Sequence, residues 1–267
     1  MIVTLLTDYG HGDEFVGVCH GVVRTIAPEV PIVDVTHGIP RHGIRAGALA
    51  LRNALPYLPA GVHVAVVDPQ VGTERRAVAL RCGDGRLLVG PDNGVLSLAW
   101  DWAGGVQEAV DVSRSQHRLE PVSATFHGRD VFAPVAAHLA IGSPLAEAGD
   151  PLDPRELVAL DLPAPTVEDG TATAHVLVVD RFGNAALNLG HRDLLGVGAT
   201  IGARVVIATG GRSREATVVQ TFADVPSGEL LLYEDAWGSL ALAVNRGDAA
   251  AELGLAPDRE VRIARAP

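Results

Sequence analysis

The first 67 residues alternate short apolar runs with amphipathic stretches, and this alternation restricts the fold more than any other feature of the chain. Apolar runs typical of buried strands cover residues 2–6, 31–35 and 62–67, and stretches of helical periodicity cover residues 13–27 and 43–58. A β-α-β-α-β succession predicts a largely parallel sheet with right-handed crossovers and helices packed on its faces. We therefore expect an N-terminal α/β/α domain.

The second part of the chain has a different pattern. Short apolar strands separated by turn residues recur after residue 170, and this spacing predicts a small antiparallel β-barrel. Residues 161–170 are rich in proline and acidic side chains, which is typical of a linker. The predicted organisation is an α/β domain over residues 1–160, a linker over 161–170 and a C-terminal β-barrel domain over 171–267.

Composition excludes several classes of protein. The net charge of −11 argues against nucleic-acid binding, because phosphate backbones need a clustered basic face. All 21 basic residues are arginine, so Schiff-base chemistry and a phosphate-binding P-loop lysine are excluded. No apolar run is long enough to cross a membrane, and with only Cys19 and Cys82 a disulfide scaffold is not expected. These features predict a cytoplasmic protein with reduced thiols and no membrane or nucleic-acid partner.

Polar side chains follow all three predicted parallel strands. The first strand ends on Thr7 and Asp8, the second on Thr36 and His37, and the third on Asp68. Parallel sheets bind ligands at the carboxyl ends of their strands, so these residues are candidates for one site. A single such residue is usually a helix cap or a turn residue. Three at neighbouring strand ends favour a functional site.

His127 is a fourth candidate, because it precedes a predicted helix over residues 129–142 that a proline is expected to kink. Gly128 after it would let a ligand approach the backbone closely. The spacings of His11, His37 and His42 match no dense metal-binding motif, so we interpret them as solvated loop residues and predict no metal site. The G-x-S-x-G and G-x-G-x-x-G motifs are also absent, which disfavours serine hydrolases and dinucleotide oxidoreductases.

Six segments occur in the order and spacing of one protein family. They are TLLTDYG, VHVAVVDPQVGTERR, GPDNGVL, ATFHGRDVFAP, VDRFGNAALN and GSLALAVNRGDA. Through these segments the chain resembles the S-adenosyl-L-methionine (SAM) hydrolases, also called SAM hydroxide adenosyltransferases, which are related to the SAM-dependent fluorinase and chlorinase. The resemblance extends from residue 2 to about residue 264 and implies an N-terminal α/β domain followed by a β-barrel.

The resemblance also implies a reaction. Water or hydroxide would attack C5′ of the ribose and displace methionine, giving adenosine, with SAM as the substrate and no cofactor. The family's hydrolytic Asp-Arg-His set corresponds here to Asp68, Arg75 and His127, which would hold and polarise the attacking water. A sulfonium is already a good leaving group, so the enzyme mainly has to position the nucleophile and exclude bulk water. The resemblance leaves open which residue accepts the proton.

The resemblance further implies the substrate contacts. Asp8 would bind the ribose hydroxyls, with Tyr9 beside it in the pocket, and Asp180 would pair with the methionine ammonium. Phe182 and Asn184 would contact adenine. Trp237 would pack on the amino-acid moiety. Members of the family form homotrimers in which each pocket lies between the N-terminal domain of one subunit and the C-terminal domain of its neighbour.

Two positions depart from the family pattern. Gln70 replaces a glycine, and at a positive φ it would cost about 1 kcal/mol. Ala236 stands where many relatives carry a serine, which puts a hydroxyl contact to the methionine carboxylate in doubt.

Three alternative functions remain open from the sequence. One is halogenation with chloride as the nucleophile, although halogenases lack the Asp-Arg-His set and a halide would face Asp68. The second is a SAM-binding module without turnover. The third is a metal-dependent hydrolase that uses Asp8, Asp68 and His127.

Overall fold

The computed structural model describes all 267 residues, Met1 to Pro267. The chain divides into two compact units, Met1–Leu160 and Asp161–Pro267. Each unit has its own buried apolar core. No helix combines the length and the apolar character needed to cross a bilayer.

The first unit is built on a seven-stranded sheet with the order β2-β1-β3-β5-β4-β6-β7. Its strands are β1 Val3–Thr7, β2 Ile32–Thr36, β3 Val62–Val66, β4 Ala77–Cys82, β5 Leu87–Pro91, β6 Val106–Asp111 and β7 Asp150–Leu152. Strands β2, β1, β3 and β5 are mutually parallel, and β4 and β7 run in the opposite direction to the other five strands.

Helices cover both faces of this sheet. They are α1 Phe15–Ile26, α2 Ile44–Ala54, α3 Ser97–Trp102 and α4 Ala133–Ala140. One apolar core contains Val3 and Leu5 of β1 together with residues of α1 and α4, and another contains Leu6 together with residues of α2 and α3. Strands β1 and β3 are buried along their whole length, as expected for parallel strands covered on both faces. The predicted α/β/α architecture is confirmed.

The turn at residues 83–85 joins β4 to β5 in an antiparallel hairpin, and Gly85 supplies its positive φ of 87°. One local prediction differs in detail from the structure. The helix predicted over residues 129–142 is instead a π-helical turn, Gly128–Phe132, followed by α4. The proline that was expected to kink it, Pro134, lies in the first turn of α4, where a missing N–H is tolerated.

The second unit is a closed barrel of seven strands. Its strands are β9 Thr171–Val179, β10 Ala185–Leu187, β11 Arg204–Thr209, β12 Arg212–Val218, β13 Leu230–Glu234, β14 Leu240–Val244 and β15 Glu260–Arg265. The pairing order β10-β14-β13-β12-β11-β15-β9 is closed by β9 on β10. Every pair is antiparallel except β12 with β13, which is parallel. The barrel prediction is confirmed with that one exception.

Three further elements complete the second unit. Strand β8, Thr166–Glu168, lies within the segment predicted as a linker and pairs with the start of β9. Helices α5, His191–Gly196, and α6, Ala249–Leu253, follow β10 and β14, and their residues Leu194, Ala249 and Leu253 belong to the barrel core. Alternate side chains of the strands, among them Val176, Ile207 and Leu242, fill the barrel core.

Replacing Leu242 by alanine is expected to destabilise the barrel unit by about 2–5 kcal/mol, because the side chain is fully buried and its loss leaves a cavity. Urea unfolding of the whole chain measures the change. The matched control is Leu195→Ala, which removes a side chain that is 55% exposed and should change stability by less than about 0.5 kcal/mol. Equal losses in the two variants would contradict the assignment of Leu242 to the core.

Candidate active site

A buried ion pair lies just beyond the end of β3. Arg75 Nε donates to Asp68 Oδ1 at 2.9 Å, and Arg75 Nη2 donates to Asp68 Oδ2, so the contact is bidentate. Both side chains are about 95% buried, with exposures of 5% for Arg75 and 6% for Asp68. Such a planar, two-bond contact fixes the direction of both groups.

His127 joins this pair through Arg75, whose Nη2 lies 3.1 Å from His127 Nδ1. A guanidinium has no acceptor atom, so Nδ1 of His127 must accept the hydrogen bond. The neutral imidazole then carries its proton on Nε2. Burial lowers the pKa of His127, and the positive charge of Arg75 lowers it further, more than Asp68 raises it. His127 is therefore a neutral hydrogen-bond donor at physiological pH.

The loop that carries Asp68 and Arg75 packs against the segment that carries His127. Gly72 has a φ of 80°, and a Cβ atom at this position would collide with the carbonyl oxygen of Ala124. Gln70 is not in the left-handed region, so the condition under which this residue would cost strain is not met. The positive φ that this turn requires is provided by Gly72, two residues further on.

The backbone of Gly128 lies very close to the side chain of Tyr9. A Cβ atom at Gly128 would overlap the hydroxyl group of Tyr9, which follows β1. The Tyr9 ring packs against Phe15 and Phe126, with ring centroids 5.8 Å away in both cases. Burial raises the pKa of Tyr9 far above its usual range, so the phenol stays protonated. Tyr9 thus packs the end of β1 against the start of the π-helical turn beside His127.

Asp8, between Thr7 and Tyr9, remains partly accessible. Its Oδ2 accepts a hydrogen bond of 3.0 Å from the backbone N–H of His42, which adopts a φ of 63°. A carboxylate has about four acceptor positions, so Asp8 keeps capacity for a ligand. The ends of β1 and β3, being adjacent parallel strands, bring Asp8 and Asp68 to the same edge of the sheet, as the sequence predicts.

A polar cavity of about 520 Å³ opens beside Arg75 and His127. Its lining includes Arg76, Arg114 and Arg118, together with acidic side chains. The neighbouring Arg76 itself pairs with the buried carboxylate of Asp92 at 2.7 Å. The cavity gives solvent a route to Arg75 and His127.

In the second unit, Asp180 organises the turn between β9 and β10. Its Oδ1 accepts from the N–H groups of Phe182 at 2.8 Å and Asn184 at 2.9 Å, and its Oδ2 accepts from the Asn184 side-chain amide at 2.8 Å. Gly183 supplies the positive φ of 79°. The turn leaves Phe182 62% exposed and therefore available to a flat ligand.

Trp237 lies in a second turn of the same design, between β13 and β14. Asp235 Oδ1 accepts from the N–H groups of Trp237 at 2.8 Å and Ser239 at 2.9 Å, and Gly238 has a φ of 80°. Trp237 is 48% exposed. The sequence contains this recurrence as Asp-Arg-Phe-Gly-Asn and Asp-Ala-Trp-Gly-Ser, a signal that would have identified Asp235 as a turn residue like Asp180.

Tyr233 is a residue that the sequence reasoning missed. Burial raises its pKa to about 12, and the nearby carboxylates of Asp180 and Asp235 contribute in the same direction. It also packs against Phe222, with ring centroids 4.9 Å apart. Tyr233 therefore lies near both turns and adds a phenol hydroxyl to this part of the barrel surface.

The three histidines interpreted as solvated loop residues do not share one environment. His37 is only 1% exposed, so that interpretation is wrong for this residue. Its Nδ1 lies 2.8 Å from Thr7 Oγ1, and its ring packs edge-on against His11 at 5.3 Å. The contact with Thr7 on β1 and the packing of the loop after β2 explain the burial of His37. His11 and His42 are exposed.

Comparison with known proteins assigns the chain to a family. The family profile of the SAM hydroxide adenosyltransferase N-terminal domain matches residues 3–149, and that of the C-terminal domain matches residues 174–262. The chain belongs to the SAM hydroxide adenosyltransferase family.

Individual relatives cover the full chain. An (R)-S-adenosyl-L-methionine hydrolase of Salinispora tropica is 48% identical over 261 residues, spanning 98% of this chain and 97% of that protein. A fluorinase of an Actinoplanes species is more distant, at 30% identity over 99% of this chain and 98% of its own length. The crystal structure of an uncharacterized conserved protein from Thermotoga maritima superposes with a TM-score of 0.92 at 36% identity, over 99% of this chain and all of that one.

The contact between Gly128 and Tyr9 yields a double-mutant prediction. Gly128→Ala is expected to lower the free energy of unfolding by about 1–3 kcal/mol, because the added methyl group overlaps the Tyr9 hydroxyl. Combining it with Tyr9→Phe removes that hydroxyl and should recover part of the loss, as measured by a denaturant-based double-mutant cycle. Strict additivity of the two changes would show that the overlap does not exist.

Proposed function

We propose that the protein hydrolyses SAM to adenosine and L-methionine. The observation that carries this proposal is the geometry of the Asp68–Arg75–His127 set, in which Arg75 orients both the buried carboxylate of Asp68 and the imidazole of His127. Halide transfer would have no use for such a set. The similarity to an (R)-SAM hydrolase over nearly the whole chain supports the same activity. The name of that relative also favours the R epimer at sulfur.

In the proposed reaction, Asp68 and His127 hold a water molecule in line with the C5′–S bond of SAM. His127 donates its Nε2–H to the water oxygen, and Asp68 accepts a hydrogen bond from the water. The water oxygen forms a bond to C5′ while the C5′–S bond breaks. The electron pair of the C5′–S bond remains on the sulfur of methionine. Because the site is partly buried, the loss of charge as the sulfonium becomes a thioether is favoured.

The tautomer of His127 limits which residue can accept the proton that the attacking water loses. With Nδ1 accepting from Arg75 and Nε2 protonated, neutral His127 has no free acceptor nitrogen. Asp68 keeps acceptor capacity beyond its two bonds to Arg75. We therefore assign proton acceptance to Asp68 and orientation of the water to His127, with Arg75 fixing both groups. The sulfonium leaving group needs no metal or other cofactor for this step.

We further propose substrate contacts for the remaining candidate residues. Asp8 binds the ribose hydroxyls at the edge of the parallel sheet, with Tyr9 forming the wall beside it. In the barrel unit, Phe182 packs on adenine and Asn184 binds it through its free amide oxygen.

The amino-acid portion of SAM would be bound by two other residues of the barrel unit. Asp180 retains acceptor capacity beyond its turn and pairs with the methionine ammonium, and Trp237 packs on the aliphatic part of that portion. The two buried, unpaired cysteines are consistent with a cytoplasmic location.

Product analysis tests the reaction. The protein is incubated with SAM in halide-free buffer and then with added chloride, and products are separated by liquid chromatography and identified by mass spectrometry. Adenosine plus methionine in both buffers is the expected result. Halogenated deoxyadenosine would instead identify a halogenase, and unchanged SAM would identify a binding protein. Activity that is lost on exhaustive chelation would support the metal-dependent alternative.

Asp68→Asn is expected to lower turnover by about 10²–10⁴-fold, because the amide cannot accept the proton. The matched control is Asp92→Asn, which disrupts the neighbouring pair of the buried Asp92 with the partly exposed Arg76. The control should lose stability and keep turnover. If Asp68→Asn lowered only the melting temperature and left turnover intact, the role of Asp68 would be structural.

The pH dependence of turnover should follow His127. Its pKa is lowered from the ordinary value of 6.5, so the imidazole stays neutral through neutral pH and is protonated only below that value. Protonation removes the acceptor at Nδ1 and places a second positive charge beside Arg75, so kcat/KM should fall on the acidic side of pH 6.5. His127→Gln should abolish this acidic limb. An unchanged acidic limb in that variant would assign it to another group.

The site residues are divided between the two units, and we propose that they combine across subunits of a homotrimer. Mixing Asp68→Ala with Asp180→Ala under exchange conditions then restores activity, because some sites receive an intact residue from each chain; random mixing restores about a quarter of the sites. Light scattering gives the oligomeric state. Sites formed within one chain would remain inactive in the mixture.

A further inference from the structure

A cluster of two histidines and one aspartate lies outside the proposed reaction chemistry. His20 is on α1, Asp34 is on β2, and His37 follows β2. Their candidate ligand atoms all lie within 4.8 Å of one another. The three residues come from positions that are 14 and 3 apart in the sequence, a spacing that resembles no metal-binding motif.

The distances within the cluster suit a first-row metal ion. His20 Nε2 lies 2.8 Å from Asp34 Oδ1, and His37 Nε2 lies 3.0 Å from the same oxygen. Neighbouring ligand atoms are separated by roughly 3.3 Å around a tetrahedral zinc ion and by roughly 2.9 Å around an octahedral ion, given metal–ligand bonds of about 2.0–2.1 Å. Small side-chain movements would therefore admit an ion between the three atoms.

His37 supplies an independent indication of a ligand. Its side chain is 99% buried, with 1% exposed, and its Nε2 atom makes no hydrogen bond. The nearest carboxylate oxygen, Asp34 Oδ1, lies 3.0 Å from this nitrogen without forming a hydrogen bond to it. Buried polar atoms are rarely left without a partner, so an unpaired imidazole nitrogen directed at a carboxylate and a second imidazole requires an explanation.

The surroundings of His37 match those of a metal-bound histidine. Its Nδ1 lies 2.8 Å from Thr7 Oγ1. Metal-binding imidazoles usually hold their second nitrogen in such a hydrogen bond, which orients the ring and selects the tautomer with a free lone pair on Nε2. The Thr7 contact ties the ring of His37 to the end of β1.

The cluster is open to solvent on its other side. The side chains of His20 and Asp34 are 32% and 37% exposed, so an ion can reach them and water can complete its coordination. A helix, a strand and the end of that strand hold the three groups, which limits the reorganisation needed on binding.

From these observations we propose that His20, Asp34 and His37 form a binding site for one divalent transition-metal ion, with water in the remaining coordination positions. The donor set of two imidazoles and one carboxylate favours Zn²⁺, Co²⁺ or Ni²⁺ over Mg²⁺ and Ca²⁺, which prefer oxygen ligands. The site ties α1 to β2 and, through Thr7, to the strand that carries Asp8. None of its three ligands belongs to the Asp68–Arg75–His127 set.

Zn²⁺ titration of the chelator-treated, tag-free, full-length protein tests the proposal by isothermal titration calorimetry. One ion per chain is expected, with affinity at least tenfold weaker in His20→Gln and in Asp34→Asn. Both substitutions are at partly exposed positions, so the variants should fold, which circular dichroism checks. The matched control is His191→Gln, which removes a histidine that lies 3.8 Å from a single carboxylate, Glu234.

Co²⁺ provides a second readout, because visible absorption bands report direct imidazole ligation and should disappear in the two cluster variants. No ion bound by the wild-type chain, or equal affinity in wild type and His20→Gln, would overturn the proposal. Loss of binding in the His191→Gln control would place the ion elsewhere and overturn it as well. The assay involves no SAM, so its outcome is independent of whether the proposed hydrolysis is correct.

Discussion

The buried pair of Asp68 and Arg75 is the interaction on which the arrangement of the candidate active site depends. Two opposite charges are removed from water at the end of β3, and each would be strongly unfavourable there alone. Loss of either partner from a buried pair typically costs about 3–5 kcal/mol, whereas an apolar replacement of both is often tolerated. Such a pair is therefore better explained by the geometry it imposes than by stability.

That geometry extends beyond the pair. Arg75 uses the same guanidinium to donate to both oxygens of Asp68 and to His127 Nδ1. One planar group thus sets the direction of a carboxylate and the tautomer of an imidazole, and its positive charge helps to keep that imidazole neutral. The tight backbone contact between Gly72 and Ala124 holds the two segments at the distance this requires. Catalysis by positioning is consistent with a substrate whose leaving group is already activated.

The barrel unit shows how one residue can serve structure and binding together. Asp180 and Asp235 each cap a turn with an exposed aromatic residue two positions later and a left-handed glycine three positions later. The turn contacts use only part of the acceptor capacity of Asp180. A turn aspartate is therefore compatible with ligand binding, and the structural role does not argue against the proposed ammonium contact.

The sequence alone determined the architecture and the strand-end residues. Hydrophobic periodicity distinguishes β-α-β units from short barrel strands, and parallel topology places Asp8 and Asp68 at one edge of the sheet. The fold class and the placement of these residues could be predicted because they depend on local sequence pattern and chain connectivity. Only the tertiary structure decided that Gly72 rather than Gln70 adopts the left-handed conformation. It also decided that His37 is buried against Thr7, and that the side chains of His20 and Asp34 lie next to His37. Those outcomes depend on packing between segments distant in the chain, which local pattern does not encode.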